Sequence, residues 1–229
     1  HTDKTWNDLN MLTFNFQRLL NDSTELSAMA YVRQGKRRAY SGDAEREESA
    51  TVPGTYADEA VVNYNNSRQT SYGGSVNYTR LLTEHQLTVG ASADASRIRY
   101  GASQAECEGL SPSRSPIDCG EIEQTSGVTG KTLALGIYAS DTWTVNERTF
   151  VTGAAGFNHA NVANTITNYE DGVGTVRPRE SFNYSSLNPS LGVSYKLAPA
   201  ISLFGNVGQS NRVPTVIELG CADPNEPCR

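Results

Sequence analysis

No continuous apolar run of about 18 residues occurs in the 229-residue chain, so no transmembrane helix is encoded here. Ala- or Leu-rich helical stretches are also missing, and no n-region/h-region pattern of a signal peptide is present. Charged residues make up only 19% and hydrophobic residues 37%, both low for a soluble domain. The net charge of −6 speaks against nucleic acid as a partner. The three histidines, His1, His85 and His159, are too scattered for a metal triad. No serine sits in a GxSxG elbow. GVTGKT at 127–132 resembles a phosphate loop, but Thr125 stands where glycine is needed and a strand pattern follows. Paired carboxylates such as Glu47–Glu48 and Glu170–Asp171 lie in polar stretches and read as solvated charge. No catalytic residue, metal or cofactor is expected.

What fills the gap is glycine (20), tyrosine (11), serine, threonine and asparagine, a composition that favours strands and turns. Residues 190–208, SLGVSYKLAPAISLFGNVG, are two alternating runs around an Ala-Pro turn. Leu191, Val193, Tyr195 and Leu197 share one parity, whereas Ser190, Gly192, Ser194 and Lys196 share the other. The same two-residue period runs through Leu133, Leu135, Ile137, Ala139 and Trp143, and through Leu87, Val89, Ala91, Ala93 and Ala95. LTFNFQRLL, ELSAMAYV, YGGSVNYTRLL and TFVTGAAGF repeat it, giving about eight strands and no convincing helix.

Short turns are expected at 21–24, 83–85, 146–148 and 198–200. Long loops are expected at about 35–68, 101–130, 160–182 and from 211 onward. A soluble domain rarely carries unstructured loops beyond about 12–15 residues, whereas a short–long rhythm is normal for outer-membrane β-barrels. In hydrocarbon every backbone polar group must be paired internally, so strands span only as a closed barrel. One parity then meets lipid and the other a wet lumen, which reconciles amphipathic strands with a mean hydropathy of −0.48. A soluble antiparallel sandwich is the rival fold. Its polar parity should be rich in Lys and Glu, and this one is Gly/Ser/Asn/Thr/Tyr. Trp6, Trp143, Tyr78 and Tyr195 near strand ends suit an interfacial girdle. Arg80 and Asp141 fall on the apolar parity near short turns, where snorkelling or a bulge accommodates them.

Cys107 and Cys119, and Cys221 and Cys228, form two close pairs with proline between their members. That pattern suits disulfide-closed loops in an oxidising compartment, since no histidine lies nearby and neither spacing is CxxC. Both ends of the chain read as long-side loop. The whole is therefore expected to be an arc of a larger barrel rather than a self-closed one.

Two stretches carry a family resemblance. LGIYASDTWTVNERTFVTGAAGFNHANV (135–162) joins an Asp-Thr-Trp strand end to a glycine-rich strand. LNPSLGVSYKLAPAISLFGNVGQSNRVPTVIELGC (187–221) carries an Asn-Pro-Ser strand, then Arg212, Pro214, Glu218 and Leu219 in an Arg-x-Pro…Glu-Leu arrangement. Both resemble TonB-dependent outer-membrane receptors, closely over 130–221 and by strand rhythm over 1–100. The resemblance implies an all-β, antiparallel transmembrane barrel of the 22-stranded type, of which residues 1–229 are wall and loop. The plug domain and C-terminal strands lie outside them. It implies binding of a scarce ligand, most often a ferric siderophore, and import driven by the TonB complex acting on the plug. Outer-membrane lipid is then a further partner. Tyr40, Tyr56, Arg114, Tyr169, Arg177 and Arg179 are the candidate ligand contacts, able to stack on or pair with an anionic chelate. Arg212, Pro214, Glu218 and Leu219 are expected to be structural. A passive porin is the alternative, but it should line its lumen with opposed charge. An outer-membrane enzyme should cluster Ser/His/Asp or acidic residues on its loops.

Overall fold

The computed structural model describes residues 3–48, 56–112 and 115–220. Its strands are β1 (Lys4–Asn21), β2 (Thr24–Glu48), β3 (Tyr56–Leu81), β4 (His85–Leu110), β5 (Pro116–Cys119), β6 (Glu123–Asn146), β7 (Thr149–Glu170), β8 (Val173–Val176), β9 (Glu180–Ala198) and β10 (Ile201–Gly208). They form one ten-stranded antiparallel sheet in the order β1-β2-β3-β4-β6-β7-β9-β10, with β5 on β4 and β8 on β7. No second sheet packs against it among the described residues, so the sandwich is excluded. The sheet is an unclosed arc.

The tight turns have a local cause. Asn21 Oδ1 accepts the Ser23 N–H at 3.0 Å, and Asn146 Oδ1 accepts the Arg148 N–H at 3.0 Å. Each asparagine side chain closes an Asx turn on its own backbone, which fixes a hairpin at that point. All four expected short turns are present.

Register converts the sequence parity into continuous rows. Phe16, Ala28, Val76, Ala91, Ile137, Phe157 and Leu187 lie side by side across seven strands. Leu12, Val32, Tyr72, Ala95 and Leu133 form a parallel row toward the long-hairpin side. These side chains stay open: Leu12 is 71% exposed, Ile137 62% and Leu187 59%. A soluble sheet would bury such a band, whereas here it stays exposed along one face of the arc, as the lipid-facing parity of a β-barrel does. On β6 the belt runs from Leu133 to Asp141, matching the 9–11 residues a tilted strand needs to cross.

Asp141 shows how the belt tolerates charge: of the two devices expected, snorkelling or a bulge, the bulge is absent. The register shifts lie elsewhere, and Asp141 instead hydrogen-bonds His85 Nδ1 at 2.8 Å. The His85 ring stacks on Trp143, centroids 6.0 Å apart, making a polar–aromatic unit at the short-turn rim.

The expected long loops are mostly strand, which corrects the sequence reading. Residues 35–48 and 56–68 continue β2 and β3 in register, while 101–110, 123–130 and 160–170 continue β4, β6 and β7. At 25 residues, β2 is more than twice the length that hydrocarbon requires. Asp171 and Gly172, both with positive φ (49° and 74°), close the β7–β8 hairpin as a two-residue Asp-Gly turn. Cys107 and Cys119 face each other across β4 and β5 and are disulfide-bonded, so they sit in a hairpin rather than irregular backbone. Cys221 and Cys228 lie outside the described residues. The absence of helix is also corrected: α1 (Val216–Gly220) follows β10.

Candidate functional site

The segment after β10 folds inward over the long-hairpin end of the lumen face. Its helix begins with a reciprocal cap. Thr215 Oγ1 accepts the Glu218 N–H at 3.2 Å, while Glu218 Oε2 accepts the Thr215 N–H at 2.7 Å. Pro214 presets the entry, its fixed φ suiting a helix start. Arg212 then forks onto both Glu218 oxygens at 2.9 and 2.8 Å. The guanidinium, and after it the Thr215 N–H, pull the Glu218 carboxyl from 4.5 down to about 2, and Glu218 in turn raises Arg212. A depressed carboxyl stabilises above its unfolded value and loses that contribution as pH falls through the folded one. The clamp is therefore complete at pH 5 and released between about pH 4.5 and pH 2. The pair is solvent-exposed, so its share of total stability is small. NMR of carboxyl-labelled glutamate should place the Glu218 midpoint near 2, and Arg212→Gln should move it up toward the ordinary value.

Apolar contacts hold the other side of the helix. Val216, 3% exposed, packs with Val128 and Val162, and with Ile98, Tyr100, Tyr184, Val213 and Leu219 around them. Ile98, Tyr100, Val128, Val162 and Tyr184 lie on the otherwise polar, lumen parity and form an apolar patch that the helix covers. Gly130 makes the seat, because a Cβ there would overlap the Val216 methyls. Beside it in register is Asn164, 2% exposed, whose amide nitrogen and oxygen have no hydrogen-bond partner among the described residues.

Below the helix the lumen wall is polar and braced across strands. Tyr138 on β6 lies flat over Gly90 of β4 and donates to Asn77 Oδ1 on β3. Tyr31 on β2 reaches over Gly73 and donates to Asp94 Oδ1 on β4 at 2.6 Å. Thr79–Thr88 (3.1 Å) and Thr142–Thr152 (3.0 Å) continue the ladder toward the short turns. Such a wall offers hydroxyls and amides for weak polar contact. Among the described residues there is no cluster of three or more His, Cys, Asp or Glu side chains suited to a metal.

The sequence candidates are dispersed. Tyr40 packs edge-on against Tyr64, centroids 4.9 Å apart, with Ala60, Val62 and Cys107. Tyr56 opens β3, and Arg114 lies outside the described residues. Tyr169 lies over Gly174 in the β7–β8 hairpin. The Arg177 N–H bonds to Ile166 O at 2.9 Å, and Arg179 reaches an outward groove beside Arg97 and Lys131. By contrast, Arg212 and Glu218 meet directly, with Pro214 and Leu219 in the same cap. Val128, Val162 and Asn164 were missed, and so was α1. The helix had a visible signal in Thr215-Val-Ile-Glu218 directly after proline.

The sequence profile described as "TonB dependent receptor-like, beta-barrel" matches residues 1–226. The chain belongs to that family. TonB-dependent receptors are outer-membrane barrels that act as transporters, not enzymes. A search of curated protein sequences finds no match. Solved structures share the fold. The ferric yersiniabactin uptake receptor FyuA of Yersinia pestis aligns with TM-score 0.63 and 12% identity over 88% of this chain and 28% of its own. The ferric-catecholate import receptor Fiu of E. coli K12, in its open form, gives 0.66 and 13% over 93% and 36%. The siderophore receptor PiuA of Acinetobacter baumannii gives 0.59 and 7% over 90% and 32%. This TonB-dependent receptor chain thus spans about a third of the length of those structures.

Proposed function

We propose that the chain is one arc of a larger, plugged outer-membrane barrel that binds a ferric siderophore at its outer end and imports it with energy from TonB. The observation that carries this reading is the pairing of an outward aliphatic belt with a polar lumen wall, in a chain that matches the receptor family over 1–226. The structurally similar receptors import ferric chelates, which favours iron over other scarce nutrients. In this reading the rigid hairpins form the vestibule, with Tyr169 and Arg177 among the contacts for an anionic chelate. Helix α1 is a movable cover over the lumen wall. When it lifts, the Asn164 amide presents a donor and an acceptor to whatever passes.

Deleting the gene and supplying single ferric siderophores under iron limitation tests the proposal. Uptake of one chelate should fall to the level of a strain lacking TonB, while growth under cobalamin limitation is unchanged. Uptake that is normal for every chelate overturns the iron assignment. Uptake that persists without TonB points to a passive channel instead.

A further inference from the structure

Charge on the outward face is not scattered. Register places Lys36, Arg68 and Arg99 in one row across β2, β3 and β4, with Arg97 and Lys131 paired across β4 and β6 one step nearer the belt. All five are exposed, and none has an ion-pair partner among the described residues. The acid facing the row is Asp8, opposite Lys36 at its β1 end. Like charges directly opposite in a sheet are destabilising. Cations gathered this way in a chain of net charge −6 call for a counter-charge from outside.

Their position says what supplies it. Lys131 is two residues beyond Leu133, and Arg97 two beyond Ala95, on the same face. At about 3.3 Å per residue that is about 7 Å past the apolar belt, the depth of lipid headgroups. A groove of about 640 Å³ straddles the boundary, with Tyr72, Ala95 and Leu133 on the belt side and Arg97, Lys131 and Arg179 above. Arg68 and Arg99 line an adjoining recess with Arg97.

We infer that this face holds a phosphate-bearing lipid of the outer leaflet, acyl chain against Tyr72, Ala95 and Leu133 and phosphate among Arg97, Lys131, Arg99 and Arg68. The inference rests on the outer-membrane placement proposed above. The test uses the full gene product in phosphatidylcholine bilayers doped with phosphatidic acid, with retained lipid counted by native mass spectrometry. Phosphatidic acid should be retained where phosphatidylcholine is not, and added salt should release it. At about fivefold per cation near a surface, the combined variant Arg68→Gln, Arg97→Gln, Arg99→Gln, Lys131→Gln should weaken retention by roughly 600-fold. If that variant fails to insert, the pair Arg97→Gln, Lys131→Gln and the salt series of the unaltered protein give the same readout. Equal retention of both lipids, indifference to salt, unchanged retention in the variants, or a second copy of the chain covering this face overturns the inference. Failure of iron uptake leaves lipid retention unmoved, so the two proposals fail separately.

Discussion

Replacing Ile137 with arginine should cost about 2–4 kcal/mol of bilayer stability, the penalty for a cation on the lipid face near mid-depth. Ile137 is 62% exposed at the centre of the β6 belt, between Ala91 and Phe157, with no acid in its row. Its guanidinium would have to drag water or headgroups into hydrocarbon, or snorkel half the belt's length. Ser92→Arg is the matched control. Ser92 lies at nearly the same height on the opposite parity, where an arginine would extend into the lumen past the Asn158 amide, which with the Ser92 hydroxyl occupies the space over Gly136. Urea unfolding in phospholipid vesicles should separate the two, with Ile137→Arg strongly destabilised and Ser92→Arg close to the parent. Equal losses would mean that both faces see the same solvent, and the barrel reading would collapse.

Gly130→Ala should lift helix α1 from the wall. The added methyl would overlap the Val216 methyls and stand 2.5 Å from Ala163 O, so either helix or strand must shift. Overpacking of this kind costs about 1–3 kcal/mol. The helix is held by one small valine cluster, so it is the part that yields. Hydrogen exchange should show α1 amides losing protection while β6 and β7 keep theirs. Val216→Ala, which removes the clashing methyls, should restore part of the loss when combined with Gly130→Ala, a coupling of about 0.5–3 kcal/mol between touching residues. If the two changes simply add, Val216 does not seat on Gly130. Because the clash with Ala163 O remains, rescue should be incomplete.

The membrane-crossing part of the fold was legible because solvent imposes the period. Leu133, Leu135 and Ile137 share the exposed apolar face while Thr132, Ala134 and Gly136 share the other, as a barrel wall between lipid and a wet lumen requires. Above the belt both faces meet water and that constraint vanishes. The stretch GKRRAYSG in β2 therefore looks like loop although it pairs residue by residue with β3. Asp171-Gly172 was the overlooked hint that 160–182 contained a hairpin. The candidate site was legible only where its contacts are local, as with Arg212 and Glu218, six residues apart. Val128, Val162 and Val216 are distant in sequence, and all three fell in stretches read as long loops (101–130, 160–182 and from 211 onward). The outward cations escaped for the same reason: Arg68, Arg99 and Lys131 are unremarkable until register aligns them.

On the function proposed above, the continuous ladders beyond the belt would also set the thermodynamics of capture. A floppy loop must surrender its conformational entropy when it closes on a guest, at about 1–2 kcal/mol for each residue it immobilises. Walls such as β2 and β3, already paired to within a few residues of their tips, have met that cost during folding. The entropy of ordering the walls is then no longer subtracted from affinity. Only the guest's own loss of freedom and the ordering of side chains remain, which would suit the capture proposed above from a dilute supply.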